Sequence, residues 1–267
     1  MKIAPGSPLI TVRGLTIAYG DFAVQRNLTF TINRGDVYII MGPSGCGKSS
    51  LLRVLTGLQA PAAGQVLYGD RDFWAETEQG RLDILSRTGV LFQSGALWSS
   101  MTLAENVALP LERRTGLSPA AVREQASLKL ALVGLAGFED FYPSEISGGM
   151  RKRAGLARAL ALDPEIVFFD EPSAGLDPLS AALLDELILQ LKENLGMTVV
   201  VVTHDLDSIF TIATNSLFLD TATHTMIAQG DPRVLREDAS LPEVVRFLNR
   251  GKKGGNRPSE VFGSRRS

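Results

Sequence analysis

The chain has 267 residues, 45% of them hydrophobic and 21% charged, and its net charge at pH 7 is −2. This composition is typical of a globular protein with a sizeable core, and it argues against a protein held on nucleic acid by a positive surface. The lone cysteine, Cys46, excludes an internal disulfide, and the apolar runs are too short to span a bilayer. We expect no signal peptide, and we expect any membrane contact to be made through a partner protein.

The N-terminal part of the chain predicts strands, then a glycine-rich loop and a helix. Residues 9–33 alternate apolar and polar side chains around Tyr19, Gly20 and Asp21, which is typical of antiparallel strands joined by turns. The apolar run at residues 36–41 predicts a buried strand. The loop follows this strand, and a helix is predicted over residues 48–58.

The middle of the chain changes to helical patterns. Residues 94–145 contain Ser118 and Pro119, which are typical of an N-cap followed by a first-turn proline. A run rich in Ala, Leu and Arg predicts another helix over residues 146–162. We expect residues 94–162 to form a helical subdomain inserted into the rest of the fold.

The last part of the chain alternates strands with helices. The predicted elements are a buried strand over 165–169, a helix over 178–194, a central strand over 198–202, two strands within 216–230, and a helix opened by a capping box at 240–243. This alternation indicates an α/β fold with a mostly parallel sheet and an N-terminal antiparallel β subdomain. We expect residues 1–250 to form one domain and residues 251–267 to be a flexible basic tail.

The strongest motif is G-x-x-x-x-G-K-S, which lies between a predicted strand and a predicted helix. Its glycines let several backbone N–H groups point at one phosphate, and the helix directs its positive end to the same anion. Lys48 adds a charge near the β- and γ-phosphates, and Ser49 offers an oxygen ligand to Mg²⁺. The core is therefore expected to be a P-loop NTPase (RecA-like) core. The residues expected to bind ATP are Gly42, Pro43, Ser44, Gly45, Cys46, Gly47, Lys48, Ser49 and Ser50.

A second motif is the apolar strand that ends in Asp170 and Glu171. In α/β sheets, ligands lie beyond the carboxyl ends of the strands. Asp170 is placed to hold Mg²⁺, and Glu171 is placed to accept a proton from the attacking water or to orient it. Alone, this pattern also fits a strand that merely meets a loop, but the phosphate loop earlier in the chain favours the functional interpretation.

A third motif is Ser147, Gly148 and Gly149 at the start of a predicted helix that carries Arg151 and Lys152. It makes a second anion-binding helix terminus, although an ordinary N-cap with flexible glycines has the same sequence. One nucleotide does not need two such termini. The second therefore indicates a nucleotide held by another subunit.

These motifs occur in the order typical of ABC transporter ATPases, which the chain resembles from about residue 9 to residue 250. The resemblance implies that Tyr19 stacks on adenine, and that Gln93 contacts Mg²⁺ and the catalytic water. It implies that Ser147, Gly148 and Gly149 bind the ATP of the opposite subunit. Asp177 would couple the two sites, and His204 would contact the γ-phosphate.

Each of three residues also fits a simpler role. Tyr19 fits a half-buried strand position, Gln93 a polar loop position and His204 a hydrogen-bonded core position.

Several segments resemble a narrower group, the ATPases of the bacterial Mla systems. They are residues 94–101, residues 143–146, Met150 after the two glycines, and residues 246–250. This resemblance implies phospholipid or another hydrophobic cargo and a position on the cytoplasmic face of the inner membrane. It implies as partners a second ATPase subunit, a permease of the MlaE type and an MCE-domain protein, and in many systems of this group also a STAS-domain protein.

Alternatives remain at this point. A transporter with another cargo fits the same ATPase motifs, as does a non-transport ABC ATPase, although no long heptad run separates Lys48 from Asp170. A scaffold that binds ATP without hydrolysing it is disfavoured by Glu171 and His204. Leu97 and Trp98 line a permease groove in one hypothesis, and in the other Trp98 fills the core of the helical subdomain.

Overall fold

The computed structural model describes residues 6–250, and the strands within this range form two sheets. The strands are β1 (Pro8–Tyr19), β2 (Phe22–Asn33), β3 (Val37–Met41), β4 (Ala63–Tyr68), β5 (Arg71–Asp72), β6 (Thr88–Leu91), β7 (Ile166–Asp170), β8 (Thr198–Val202), β9 (Asn215–Leu219) and β10 (Met226–Gly230). The first sheet has the order β2-β1-β4-β5, and every pairing in it is antiparallel. The hairpin between β1 and β2 turns at Gly20 and Asp21, as the sequence predicts.

The second sheet has the order β10-β9-β3-β8-β7-β6. All its pairings are parallel except that of β9 with β10. Every residue of β3 and of β8 is buried, because both faces of the sheet are covered. Val37, Ile39 and Met41 face the core on the helical side, whereas Tyr38 and Ile40 face the core shared with the antiparallel sheet and the first helix.

The helices of residues 6–250 cover the parallel sheet and build a lobe beside it. They are α1 (Lys48–Leu55), α2 (Glu78–Leu85), α3 (Leu103–Arg114), α4 (Pro119–Leu132), α5 (Gly148–Ala159), α6 (Pro178–Leu195), α7 (Leu206–Ile212), α8 (Pro232–Leu235) and α9 (Pro242–Asn249). The helices α3, α4 and α5 come between β6 and β7 and pack on one another. Ser118 caps α4 as predicted, and its hydroxyl accepts a hydrogen bond from the Ala121 N–H.

The predicted capping box at 240–243 is wrong. The helix α9 begins at Pro242, and its N-cap is Leu241, whose side chain makes no capping hydrogen bond. The Ser240 hydroxyl instead donates to Asp238 Oδ1 at 2.6 Å, so this hydroxyl is committed to the preceding turn. A capping box does occur in α3, where Thr102 and Glu105 satisfy each other's backbone N–H groups.

Two further predictions concern the C-terminal tail and the lack of a membrane-spanning segment. The predicted tail at residues 251–267 lies outside the described residues. Within residues 6–250 the model contains no helix with the length and apolar character needed to cross a membrane.

Candidate functional site

The carboxyl ends of the parallel strands bring the predicted site residues to one edge of the sheet. The phosphate loop follows β3, Gln93 follows β6, Asp170 ends β7 and His204 follows β8. The strands β3, β8, β7 and β6 lie side by side in this order, so the residues at their carboxyl ends lie close together. The fold therefore gathers groups that the sequence separates.

The phosphate loop is shaped by close backbone approach. Gly42 has φ 146°, and a Cβ at this position would lie 2.3 Å from the Leu219 carbonyl oxygen. Gly47 has φ 93° and forms the N-cap of α1, whose first N–H groups open towards the loop. The Lys48 ammonium donates to the Gly42 and Pro43 carbonyl oxygens at 2.9 and 3.0 Å. The loop thus combines free helical N–H groups with a lysine charge, which is the chemistry that binds phosphate.

Gln25 supports this loop, and sequence reasoning missed it. Its side chain is fully buried on β2 and donates to the Cys46 carbonyl at 2.7 Å and to the Asp220 carbonyl at 3.0 Å. The sequence signal for this role is a polar residue at an inward-facing position of a strand whose side chains alternate between buried and exposed.

The Cys46 side chain is buried, and its thiol packs against Gly42. Burial raises the pKa of this thiol, so it acts as packing rather than as a reactive group.

Ser49 and Asp170 form the candidate magnesium site. The Ser49 hydroxyl donates to Asp170 Oδ1 at 3.3 Å, which joins the phosphate loop to the end of β7. Burial raises the pKa of the Asp170 carboxyl, because water is partly excluded from it. Both groups are oxygen ligands, and Mg²⁺ bound to a nucleotide needs only one or two of these from the protein. The residues present therefore fit the ion.

Glu171 and His204 form a hydrogen-bonded pair. His204 Nδ1 lies 2.9 Å from Glu171 Oε1, and the Glu171 side chain is 16% exposed while that of His204 is 61% exposed. This exposure excludes the alternative of His204 as a core residue. The Glu171 backbone adopts φ 48°, and its N–H donates to the Val202 carbonyl at 2.8 Å. A carboxylate held in this way is able to orient a water molecule or accept its proton.

The second predicted anion site lies at the start of α5. Ser147 is the N-cap of this helix, its hydroxyl accepts from the Met150 N–H at 3.2 Å, and Ser147 and Gly148 are exposed. Asp177 caps α6 nearby, where its carboxylate accepts from the Ser180 N–H and hydroxyl. A cleft of about 490 Å³ is lined by the start of α5, the end of α4 and one side of α6, including Ser180. Hydrogen bonds to Ser180 lower the pKa of Asp177, which keeps it charged.

The structure does not bring this second site to the phosphate loop. Within residues 6–250, no hydrogen bond or ion pair joins residues 147–149 to residues 42–50. Both are helix starts with available N–H groups, so one chain presents two separate termini of the kind that can bind phosphate.

Two further predicted residues lie at the border of the site. Tyr19 is 48% exposed, and its hydroxyl bonds to Ser50 Oγ at 3.1 Å and to Gln59 Oε1 at 2.7 Å. Its ring is therefore held beside α1 with much of its surface open. Gln93 is exposed two residues after β6 ends.

Trp98 is 58% exposed, which is incompatible with its alternative role of filling the core of the helical subdomain.

A family comparison agrees with this arrangement. The model of the ABC transporter family matches residues 25–174. The chain belongs to the ABC transporter family, and it is an ATP-binding and ATP-hydrolysing subunit of that family.

Its relatives include intermembrane phospholipid transport system ATP-binding proteins, MlaF. The Haemophilus influenzae protein is 39% identical over 240 residues, which is 90% of each chain. The Escherichia coli K12 protein is 38% identical over 90% of this chain and 88% of its own length. A probable ribonucleotide transport ATP-binding protein, mkl of Mycobacterium tuberculosis H37Rv, is 41% identical, but the match covers only 66% of its length.

Solved structures give the same fold. The cbiO1 subunit of Clostridium perfringens superposes with a TM-score of 0.79 at 26% identity and covers 91% of this chain and 95% of its own. The ATP-binding cassette MJ0796, a dimer in a post-hydrolysis state with ADP and Pi, has a TM-score of 0.75 at 30% identity. That match covers 83% of this chain and 98% of the cassette.

Proposed function

We propose that two copies of this chain close around two ATP molecules and that this closure powers a transporter of phospholipid or another hydrophobic substrate. The observation that carries the proposal is the presence of two phosphate-binding helix starts that do not meet within one chain. Head-to-tail pairing of two copies brings the Ser147 site of each onto the phosphate loop of the other. The solved dimer of the related cassette MJ0796 supports such a pair.

In the proposed site, each residue acts through position and charge. Lys48 binds the β- and γ-phosphates, and the exposed ring of Tyr19 stacks on adenine. Ser49, Asp170 and Gln93 hold Mg²⁺, which neutralises phosphate charge when bound. Glu171 accepts the proton of the attacking water or orients it, and His204 contacts the γ-phosphate while holding the Glu171 carboxylate at 2.9 Å.

The opposite subunit completes the proposed site. Ser147, Gly148 and Gly149 bind the γ-phosphate through the hydroxyl and the free N–H groups at the start of α5. Asp177, at the start of α6 beside the same cleft, couples the two nucleotides across the interface. The next residue, Met150, offers this surface no polar side chain, but it does not alter the phosphate contacts proposed for Ser147, Gly148 and Gly149.

Replacement of Glu171 by Gln tests the catalytic part of the proposal. Gln keeps the shape and the hydrogen bond to His204 but removes the base, so we expect ATP turnover to fall by about 10²–10⁴-fold. We expect ATP-dependent dimerisation, measured by light scattering, to persist. Glu124→Gln on the exposed surface of α4 is the matched control and is expected to behave as wild type. Normal hydrolysis by Glu171→Gln removes this residue from the catalytic role.

The choice of lipid as cargo has support from the extent of the matches. The MlaF relatives match along about nine-tenths of their length, whereas the match to the ribonucleotide-transport relative covers 66% of its length. Reconstitution of the transporter in vesicles with labelled phospholipid or labelled ribonucleotide decides between these cargoes. ATP-dependent movement of ribonucleotide and not of phospholipid would refute the lipid assignment.

The loop that carries Leu97 and Trp98, together with a neighbouring groove, is the proposed docking site of the permease. Leu97 packs on the lobe while Trp98 is exposed, and exposed aromatic residues are favoured anchors at interfaces. An apolar groove of about 340 Å³ adjoins this loop, and its lining includes Phe92, Leu109 and Pro110. Its lining residue Phe92 is the chain neighbour of Gln93, so a permease segment seated there is placed to sense the state of the nucleotide site.

The proposed location of the chain is the cytoplasmic face of a bacterial inner membrane, where its permease holds it. The proposed partners are a second copy of the chain, a permease of the MlaE type, an MCE-domain protein and a STAS-domain protein. Purification of the tagged full-length chain from solubilised membranes, followed by mass spectrometry, tests them. Recovery of a permease without an MCE-domain protein would contradict the Mla-type assembly.

A further inference from the structure

A buried lysine on α5 contacts the backbone of the proposed catalytic glutamate. Lys152 is 6% exposed, and its ammonium donates to the Pro172 carbonyl at 2.6 Å and to the Glu171 carbonyl at 3.2 Å. Burial lowers the pKa of Lys152, while the negative charge of Glu171 opposes that effect. The lysine therefore occupies an unfavourable environment at one specific point of the site.

The backbone of Glu171 needs such a restraint. Its φ of 48° lies in the left-handed region, which a residue other than glycine adopts only when its surroundings enforce it. Three contacts from outside its own segment restrain it: the N–H donates to the Val202 carbonyl, the carbonyl accepts from Lys152, and the carboxylate bonds to His204. The carbonyl also accepts from the Ala174 N–H at 3.1 Å within the turn that follows. Two of these anchors come from β8 and the residues after it. Lys152 is the anchor that comes from the helical lobe.

The position of Lys152 along α5 connects it to the second phosphate site. Lys152 lies four residues after the start of α5, about 6 Å along the helix axis from the N-terminus capped by Ser147. A single helix is rigid over this distance, so a shift of its first turn moves the lysine as well. In the proposed dimer, Ser147 binds the nucleotide of the opposite subunit, whereas Glu171 acts on the nucleotide of its own.

We propose that Lys152 is a positioning residue that holds Glu171 in its hydrolytic conformation and ties this conformation to occupation of the Ser147 site. The proposal rests on the catalytic role proposed for Glu171. It gives the two nucleotide sites of a dimer a direct mechanical link through α5. ATP seated on Ser147 fixes α5, and α5 in turn fixes the carboxylate of the neighbouring site.

The test compares three variants of the full-length chain in steady-state ATP hydrolysis. Lys152→Met keeps the length of the side chain but has no donor for the two carbonyls, so kcat is expected to fall ten- to a hundredfold while KM for ATP changes less than twofold. Lys152→Arg restores donors and is expected to recover most of the lost kcat. The matched control is Lys129→Met, which removes a lysine that is equally buried but is bonded to Asp163 in the helical lobe.

The outcomes separate this inference from the proposed function. A kcat for Lys152→Met within twofold of wild type, with Glu171→Gln inactive, overturns the positioning role alone. Equal losses in Lys152→Met and Lys129→Met, with parallel loss of thermal stability, show a merely structural lysine and also overturn it. Normal hydrolysis by Glu171→Gln overturns the proposed catalytic role itself. If Lys152→Met yields no folded protein, Lys152→Gln, a shorter side chain with an uncharged amide NH₂ donor, is judged by the same criteria.

Discussion

Asp185 makes the stability of this protein depend on pH in an unusual direction. It lies on α6 and is 5% exposed, and burial raises the pKa of its carboxyl from 3.8 to about 6. The hydroxyl of Ser208 partly opposes this shift, whereas the charges of Asp205 and Asp207 at the start of α7 add to it. The native protein therefore holds a proton on Asp185 at pH values where the unfolded chain has released it.

The sign and size of the effect follow from linkage. Between pH 3.8 and about 6 the native state binds more protons at this site, so the contribution of Asp185 to stability falls as the pH rises. The full difference is about 3 kcal/mol, and the part between pH 5 and pH 7 is on the order of 1 kcal/mol. Replacement by Asn keeps an oxygen that accepts from Ser208 but removes the titration.

Urea unfolding followed by circular dichroism at pH 5, 6 and 7 measures how the contribution of Asp185 to the free energy of unfolding changes with pH. The free energy of unfolding of Asp185→Asn minus that of wild type is expected to increase by about 1 kcal/mol from pH 5 to pH 7. Asp140→Asn, which removes a carboxylate that is 75% exposed on the helical lobe, controls for the loss of one charge. Parallel stability curves for Asp185→Asn and wild type between pH 5 and pH 7 would refute the reasoning.

Three other predictions concern the loop and the partner surface. Gly42→Ala places a Cβ 2.3 Å from the Leu219 carbonyl oxygen, so binding of a fluorescent ATP analogue should be lost, whereas Gly116→Ala, which meets no atom within 4 Å, should bind normally. Gln25→Leu removes two donors to buried carbonyls and should weaken ATP binding about tenfold by titration calorimetry; unchanged affinity would contradict its supporting role. Trp98→Ala should change stability by less than about 0.5 kcal/mol but abolish co-purification of the permease; an unfolded variant would instead place Trp98 in the core.

The fold was predictable wherever the sequence carried a strong local pattern. The β1–β2 hairpin, the buried strands β3, β7 and β8, and the helix that ends at Gly196 agree with their predictions. No local pattern in the sequence predicted β4, β5, α2, β6, α7 or α8. These elements are short, and β6 is a four-residue strand at the sheet edge that contains a glycine. The strands β4 and β6 form by pairing with β1 and β7, which are distant in the sequence, so no local pattern records them.

The site shows the same limit. The motif residues can be recognised in the sequence because glycine, lysine and acidic residues occur at fixed spacing. The ends of the parallel strands then bring these residues together in the fold. Gln25 and Lys152 belong to no sequence motif. Their side chains donate hydrogen bonds to backbone carbonyls that come close to them only in the folded chain. The left-handed backbone of Glu171 is equally invisible in sequence, because it results from three contacts outside its own segment.

The central claim is that each ATP site is built from two chains, and mixing two inactive variants tests it most directly. Lys48→Ala disables the phosphate loop, and Ser147→Arg places a bulky side chain at the start of α5. Neither variant alone is expected to hydrolyse ATP at more than a trace rate. A mixed dimer contains one site with both parts intact, so hydrolysis by the mixture should exceed the sum of the two separate rates. Wild-type hydrolysis by Ser147→Arg alone, or no gain on mixing, would contradict a site shared between two subunits.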